Sequence, residues 1–474
     1  MVFGLSRLTP RRIIFFTSAS VLFWIFVIGL TPITSPLPPY TGPHEVGILD
    51  VETEVHPKKV IREATLKETG KNAFELSTLA VTLYYPSSLP NAPPSKRPWA
   101  RSWLPQPVSL IGQGYARLAG VSFLSPVFTF ALWALGSSTV IPGVVDAPIL
   151  SGAEKVLVEE GSGAGGFGKI LEAAEQEHTE LKRDGKIGTL PCVVFTHGMA
   201  GMSQSYSHYL GSIASHGYLI AAVEHRDGSG PGTVIHYPNE TERAVWHMKL
   251  KDLVSDPPMT DLDLKEAQLA FREAEVAETV KLFAQLNDGD APVVNLKPDS
   301  PREALPGFKN RLDMSAVTVA GHSYGATGVL QALKSAGPQD LNLNGGIALD
   351  PGKGSGPLNK DINVPLLVMQ SGEWTEKQTE FYGQGWHFDV VKKIVENVKR
   401  GWMMTLNSKV ALREYIDASV HFLEFLKMDE KKGILASDVT SSAGPLGDAD
   451  KRGKVKGQFG ADWEVHVVPR SKSE

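Results

Sequence analysis

The chain has 474 residues, 42% hydrophobic and 21% charged, enough for one large elaborated domain or for two or three average ones. A net charge of −5, with no basic stripe interleaved with aromatics, excludes a nucleic-acid partner. A single cysteine, Cys192, excludes an intramolecular disulfide, and without C-x-x-C or H-E-x-x-H neither a zinc site, another metal nor a cofactor is expected.

In chain order, residues 1–12 are basic (Arg7, Arg11, Arg12) and precede an uncharged run, residues 13–30. At about 1.5 Å per residue such a run nearly crosses a hydrocarbon core about 30 Å thick. It exceeds a signal-peptide core, so it is predicted to be an uncleaved signal anchor, N-terminus cytosolic and the remainder lumenal or extracellular. Secretion after cleavage is the alternative. The sequon at Asn239 is a glycosylation candidate under either topology. Residues 31–43 are a proline-rich linker, 44–428 the folded domain, and 429–474 a polar, irregular tail.

Gly47–Val55 and Leu76–Tyr85 read as two strands at an antiparallel sheet edge. The stretch 118–145 then carries no charge, and Phe123, Phe128, Phe130, Trp133 and Leu135 fall within it. Three readings stand: a core helix, an apolar surface that docks on lipid or covers the site, and a second membrane span. The span is disfavoured, because prolines and glycines interrupt it and it would return Asn239 to the cytosolic side. Residues 154–186 form a charged, glycine-dotted insertion.

Pro191–Arg226 divides into strand (Cys192–Thr196), a His197-Gly198-Met199 turn, helix (Ser205–Ser215) and strand (Tyr218–Glu224), a parallel βαβ unit. Cys192 is expected buried and inert, and His197 is read as a structural imidazole. Pro257–Leu286 has helical periodicity, its charges, Arg272 and Glu273 among them, read as a solvated face. Next, Ser315–Ala320 is an apolar strand that runs into Gly321-His322-Ser323-Tyr324-Gly325 and a small-residue helix start. A G-x-S-x-G between strand and helix is a nucleophile elbow: the turn is so tight that only glycine fits two residues to either side of the serine. Ser323 is therefore the expected nucleophile, with Gly321, His322 and Gly325 forming the elbow. The backbone amides of Met199 and Tyr324 are the expected oxyanion donors.

Downstream strands are predicted at Gly345–Leu349 and Val364–Gln370 and a helix at Asp389–Val398, and the segment Ile416–Leu426 contains His421. A serine nucleophile needs a base and an acid that orients it, in the chain order Ser, acid, His. Asp350 ends a strand at the carboxyl edge and is preferred over Asp361 and Asp389 as the acid. His421, after the last predicted strand and just before a helix, is preferred over His387 and His466 as the base. The whole is an α/β fold of the α/β-hydrolase type, a mostly parallel central sheet with helices on both faces and an anchor helix in front.

HGMAGMSQSYSHYLGSIASHGYLIAAVEHRDGS, GHSYGATG, ALDPG and DASVHFLEF together resemble the platelet-activating factor acetylhydrolase family, the lipoprotein-associated phospholipase A2 type. TGPHEVGILDVE and LYYPS near the start are similar to it too. The resemblance implies a calcium-independent esterase that removes short or oxidised sn-2 acyl groups from glycerophospholipids such as platelet-activating factor. It implies Ser323, Asp350 and His421 as triad, Met199 and Tyr324 as oxyanion amides, and contact of the apolar 118–145 stretch with a membrane or lipid surface. The insertion and the anchor depart from that pattern and leave the acyl range open. A general carboxylesterase for non-phospholipid esters is the alternative.

Overall fold

The computed structural model describes residues 18, 20–21, 37–88, 101–150, 189–237, 242–289, 303–334, 341–376, 379–407, 411–440 and 463–469. The expected anchor (save residues 18, 20 and 21), the 154–186 insertion and Asn239 lie outside the described residues.

A long hairpin opens the fold, β1 (Glu45–Leu66) against β2 (Asn72–Ser87), antiparallel with Val51 opposite Val81. The strands that follow are β3 (Leu190–Thr196), β4 (Leu219–Val223), β5 (Leu312–His322), β6 (Leu343–Leu349), β7 (Leu366–Ser371), β8 (Gly401–Leu406) and β9 (Trp463–Val467). In space they run β1-β2-β4-β3-β5-β6-β7-β8-β9, parallel from β4 to β8 and antiparallel on either side. Two short strands add to β1, Leu253–Val254 antiparallel and Val144–Val145 parallel. Parallel strands covered on both faces must be apolar throughout, which is why Leu219–Val223 and Val193–Phe195 are continuous hydrophobic runs with almost no exposure. From β3 the chain turns one way to β4 and later the other way to β5. This topological switch opens a crevice beyond the carboxyl ends of β3 and β5.

Helices α1 (Val108–Leu118) and α2 (Ser125–Gly136) pack on each other near that edge. One sheet face is covered by α3 (Ser207–Ser215) and α7 (Ala411–Met428), through Tyr209, Ile213, Phe422 and Phe425. The other is covered by α4 (Asp261–Asp288), α5 (Tyr324–Ala332) and α6 (His387–Asn397), through Phe271, Phe283, Val329 and Val391. Thr260 starts α4 with a reciprocal capping box to Asp263, and Gly289 ends it at φ 71°. This is the α/β-hydrolase architecture.

Three expectations change, and one disfavoured reading drops out. The tail is not uniformly irregular: Trp463–Val467 pairs with β8, and Trp463 and Val465 are buried. Gly401–Leu406 is a strand where none was expected. Arg272 does not face solvent but is fully buried on the sheet side of α4. The 118–145 stretch is not a second span. α2 has 12 residues, and among the described residues no helix is long and apolar enough to cross a membrane. Phe123, Val127, Phe130, Trp133 and Leu135 are exposed and Phe128 half-buried, which leaves the apolar-surface reading.

Candidate active site

Strand β5 ends in a turn whose geometry only this sequence tolerates. Ser323 sits at φ 55°, ψ −116°, a strained conformation for an L residue. A Cβ on Gly321 would stand 2.5 Å from the Thr196 hydroxyl, and one on Gly325 would run into the Thr196 carbonyl. The Thr196 hydroxyl closes this packing by donating to the Gly325 carbonyl at 2.8 Å. The Ser323 amide donates to Leu349 at the end of β6 (2.8 Å), so Asp350, the next residue, arrives at the same rim as the serine.

Across the crevice, Gly198 lies against the nucleophile: a Cβ there would be 3.1 Å from Ser323 Cβ. The following residue, Met199, is exposed at the turn. Among the described residues no hydrogen bond uses the amide of Met199 or that of Tyr324, the first residue of α5. Two free amides flank the serine, one from each side of the crevice, where a developing oxyanion needs donors. His197 is buried, its Nδ1 on the Gly198 carbonyl (2.9 Å) and its Nε2 accepting from the His225 amide (3.2 Å), so it braces the turn.

Asp350 has φ 45° and accepts at Oδ1 from the Ser371 amide, 2.7 Å away. Burial pushes its carboxyl up to about 6. Its other oxygen is 3.9 Å from Nε2 of His322. Nδ1 of His322 is 2.8 Å from the Tyr206 hydroxyl, which itself accepts from the Gly198 amide at 3.2 Å. Gly198 takes up one of the two lone pairs of that hydroxyl, which can still exchange a hydrogen bond with Nδ1 in either direction. Burial lowers His322 to about 4, so the ring is neutral.

The structure does not bring His421 to this rim. Helix α7 starts at the carboxyl edge and descends along the sheet. Burial disfavours ionisation of Tyr415, and the Asp350 carboxylate is close enough to add to the effect. Leu426 reaches the start of β6, 2.8 Å from where a Gly345 Cβ would be. His421 lies between, six residues or about 9 Å beyond Tyr415 along the axis. Its ring abuts Gly433 and neighbours Asp417 and His216, the residue that ends α3 just ahead of β4. The expected base is therefore mid-helix and off-site, because α7 begins ten residues earlier than the sequence suggested. His387 is buried at the start of α6, against Phe381 and hydrogen-bonded to the Gly352 backbone, and His466 is paired with Thr405 at 2.9 Å in β9. Among the described residues, no imidazole is hydrogen-bonded to Ser323 Oγ.

A family model described as platelet-activating factor acetylhydrolase, isoform II, matches residues 165–428, more than half of the chain. Platelet-activating factor acetylhydrolase of Canis lupus familiaris is 31% identical over 162 residues, 34% of this chain and 34% of that protein. The same enzyme of Cavia porcellus is 29% identical over 205 residues, 40% and 43% respectively. The chain thus spans a third to two fifths of the length of these curated relatives. Among solved structures, a ferulic acid esterase from Streptomyces cinnamoneus aligns over 87% of this chain and 97% of that one, at TM-score 0.44 and 16% identity. That likeness is too loose to carry the fold, which rests on the strand order above.

Proposed function

From membership of the platelet-activating factor acetylhydrolase, isoform II, family, to which this chain belongs, we propose a serine esterase that cleaves the sn-2 ester of glycerophospholipids, acetyl, short or oxidised acyl chains foremost. The observation that carries it is a strained elbow serine between two unengaged amides. In this reading Ser323 attacks the sn-2 carbonyl, and the amides of Met199 and Tyr324 hold the oxyanion. The His322–Asp350 pair is the titratable group adjoining the serine. The pair takes the hydroxyl proton at its unprotonated atom, Nε2 of His322 or the facing oxygen of Asp350, and passes it to the departing lysophospholipid. Water then attacks the acyl-enzyme and gives its proton to the same atom, and Ser323 recovers it as the acid leaves. No step calls for calcium.

We further propose that the domain works at a lipid surface. Supporting this are the exposed apolar side chains of α2 and the segment just before it, and the uncharged 13–30 run, read as an anchor that sets the domain on the lumenal or extracellular side.

A second reading is a catalytically silent lipid-binding member of the family, favoured by the lack of an imidazole bonded to Ser323 among the described residues. Fluorophosphonate labelling separates the two. Wild type should label at Ser323 and Ser323→Ala should not, and wild type should hydrolyse 2-acetyl phosphatidylcholine at least tenfold faster than a long-chain 2-acyl analogue. An unlabelled wild type leaves only the silent reading.

A further inference from the structure

Helix α4 carries a cation that touches both sides of the crevice. Arg272 is fully buried, and each of its three nitrogens donates: Nε to Asp227 Oδ2 (2.7 Å), Nη1 to the His197 carbonyl (2.6 Å) and Nη2 to Ser229 Oγ (2.6 Å). Its guanidinium carbon lies 4.5 Å from the centroid of the Tyr324 ring. These contacts converge on the two oxyanion donors. His197 is two residues before Met199, and the Ala200 amide, on the other side of Met199, is pinned at 2.8 Å by the carbonyl of Ser229. Tyr324 is the second donor itself. One turn back on the helix, Gln268 accepts from the Tyr324 hydroxyl (2.9 Å) and donates to the Asp227 carbonyl (3.1 Å), repeating the link.

We propose that Arg272 is the positioning residue of the oxyanion cradle: it fixes the Met199 turn and the Tyr324 end of α5 relative to each other, so that both amides meet one oxygen. This rests on the esterase reading. The chemistry calls for arginine, because a planar fork serves three acceptors in fixed directions while its face lies on a ring. A lysine ammonium keeps the charge opposite Asp227 but cannot reach His197, Ser229 and Tyr324 together. The two amides would then keep their places in the chain and lose their mutual aim.

The test uses the full chain and the soluble substrate p-nitrophenyl acetate. For Arg272→Lys, a folded protein by near-UV circular dichroism should show kcat down by about 10²–10³-fold, the loss typical of one missing oxyanion donor. KM should stay within about threefold, and the Kd of a trifluoromethyl ketone, whose hemiketal mimics the oxyanion, should rise in step with the kcat loss. Ser229→Ala removes one arm without touching the charge and should lose about tenfold in kcat with its melting temperature retained. Should Arg272→Lys fail to fold, that variant decides. Wild-type kcat in either folded variant overturns the proposal, as does ketone affinity that stays put while kcat falls. A wild-type chain that neither labels nor turns over removes the esterase reading and this inference together.

Discussion

Asp350 sits where ionisation is costly, and stability at this position opposes function. Burial raises its carboxyl from the ordinary 3.8 to about 6. A folded-state value above the unfolded one means that the stabilising form is the neutral acid. Its contribution is complete below about pH 4 and is lost as pH rises through 6, a swing on the order of 3 kcal/mol. Asp350→Asn stays neutral and retains an oxygen for the Ser371 amide. It should match wild type in urea at pH 4 and exceed it by about 2–3 kcal/mol at pH 7, while turnover is lost. Equal stability at pH 7 would mean that the carboxylate is solvated after all. His421 makes the opposite case. It shares a descriptive motif with the family, yet its ring faces Gly433 rather than the serine. His421→Gln should therefore keep kcat/KM within about threefold, whereas a true base costs about 10⁴-fold or more. A loss of that size in a folded variant would return His421 to the reaction.

At the level of elements, the sequence was most legible where one signal had one meaning. The βαβ unit around His197 and the strand into the elbow are apolar runs ending in Gly-rich turns, and the structure has both within a residue or two, although β5 begins earlier. The elbow was legible down to its glycines because the steric demand is local. What failed was long-range. GWMMTL, now β8, carries a glycine and two methionines and lacks the β-branched signature. WEVHV, now β9, is five residues inside a polar tail. With β8 unseen, β7 became the last strand, and His421 fell into an imagined loop. Helix α4 shows a different limit. Gln268, Arg272, Glu275 and Thr279 recur at spacings of four, three and four, a polar stripe on one face. Periodicity reveals such a stripe but not its direction. Here all four are buried: Asp227, Ser229, His197 and His225 offer partners to the first three, and Thr279 donates back to the Glu275 carbonyl.

For the molecule as a whole, the apolar surface and the candidate site are mechanically close. Helix α2 presses on α1, where Gly112 leaves room for Thr129, and Gly114 lets α1 approach the Pro231 carbonyl. From α1, Tyr115 donates to the Ala200 carbonyl (3.0 Å), beside Met199. A lipid layer that receives Phe123, Trp133 and Leu135 would thus be linked to the oxyanion turn through the α2–α1 packing and the Tyr115–Ala200 hydrogen bond. Burying each such side chain is worth about 1.5–3 kcal/mol at full transfer. On the lipid-surface proposal three together would support adsorption, and all three are available to it, with Phe123 81%, Leu135 52% and Trp133 41% exposed. Replacing all three by serine should cut hydrolysis of phospholipid vesicles at least tenfold while leaving p-nitrophenyl acetate turnover within twofold. Sedimentation with the same vesicles should fall in parallel. An equal loss on both substrates would make the helix structural. Unchanged vesicle activity would move lipid contact elsewhere and favour an esterase for soluble substrates.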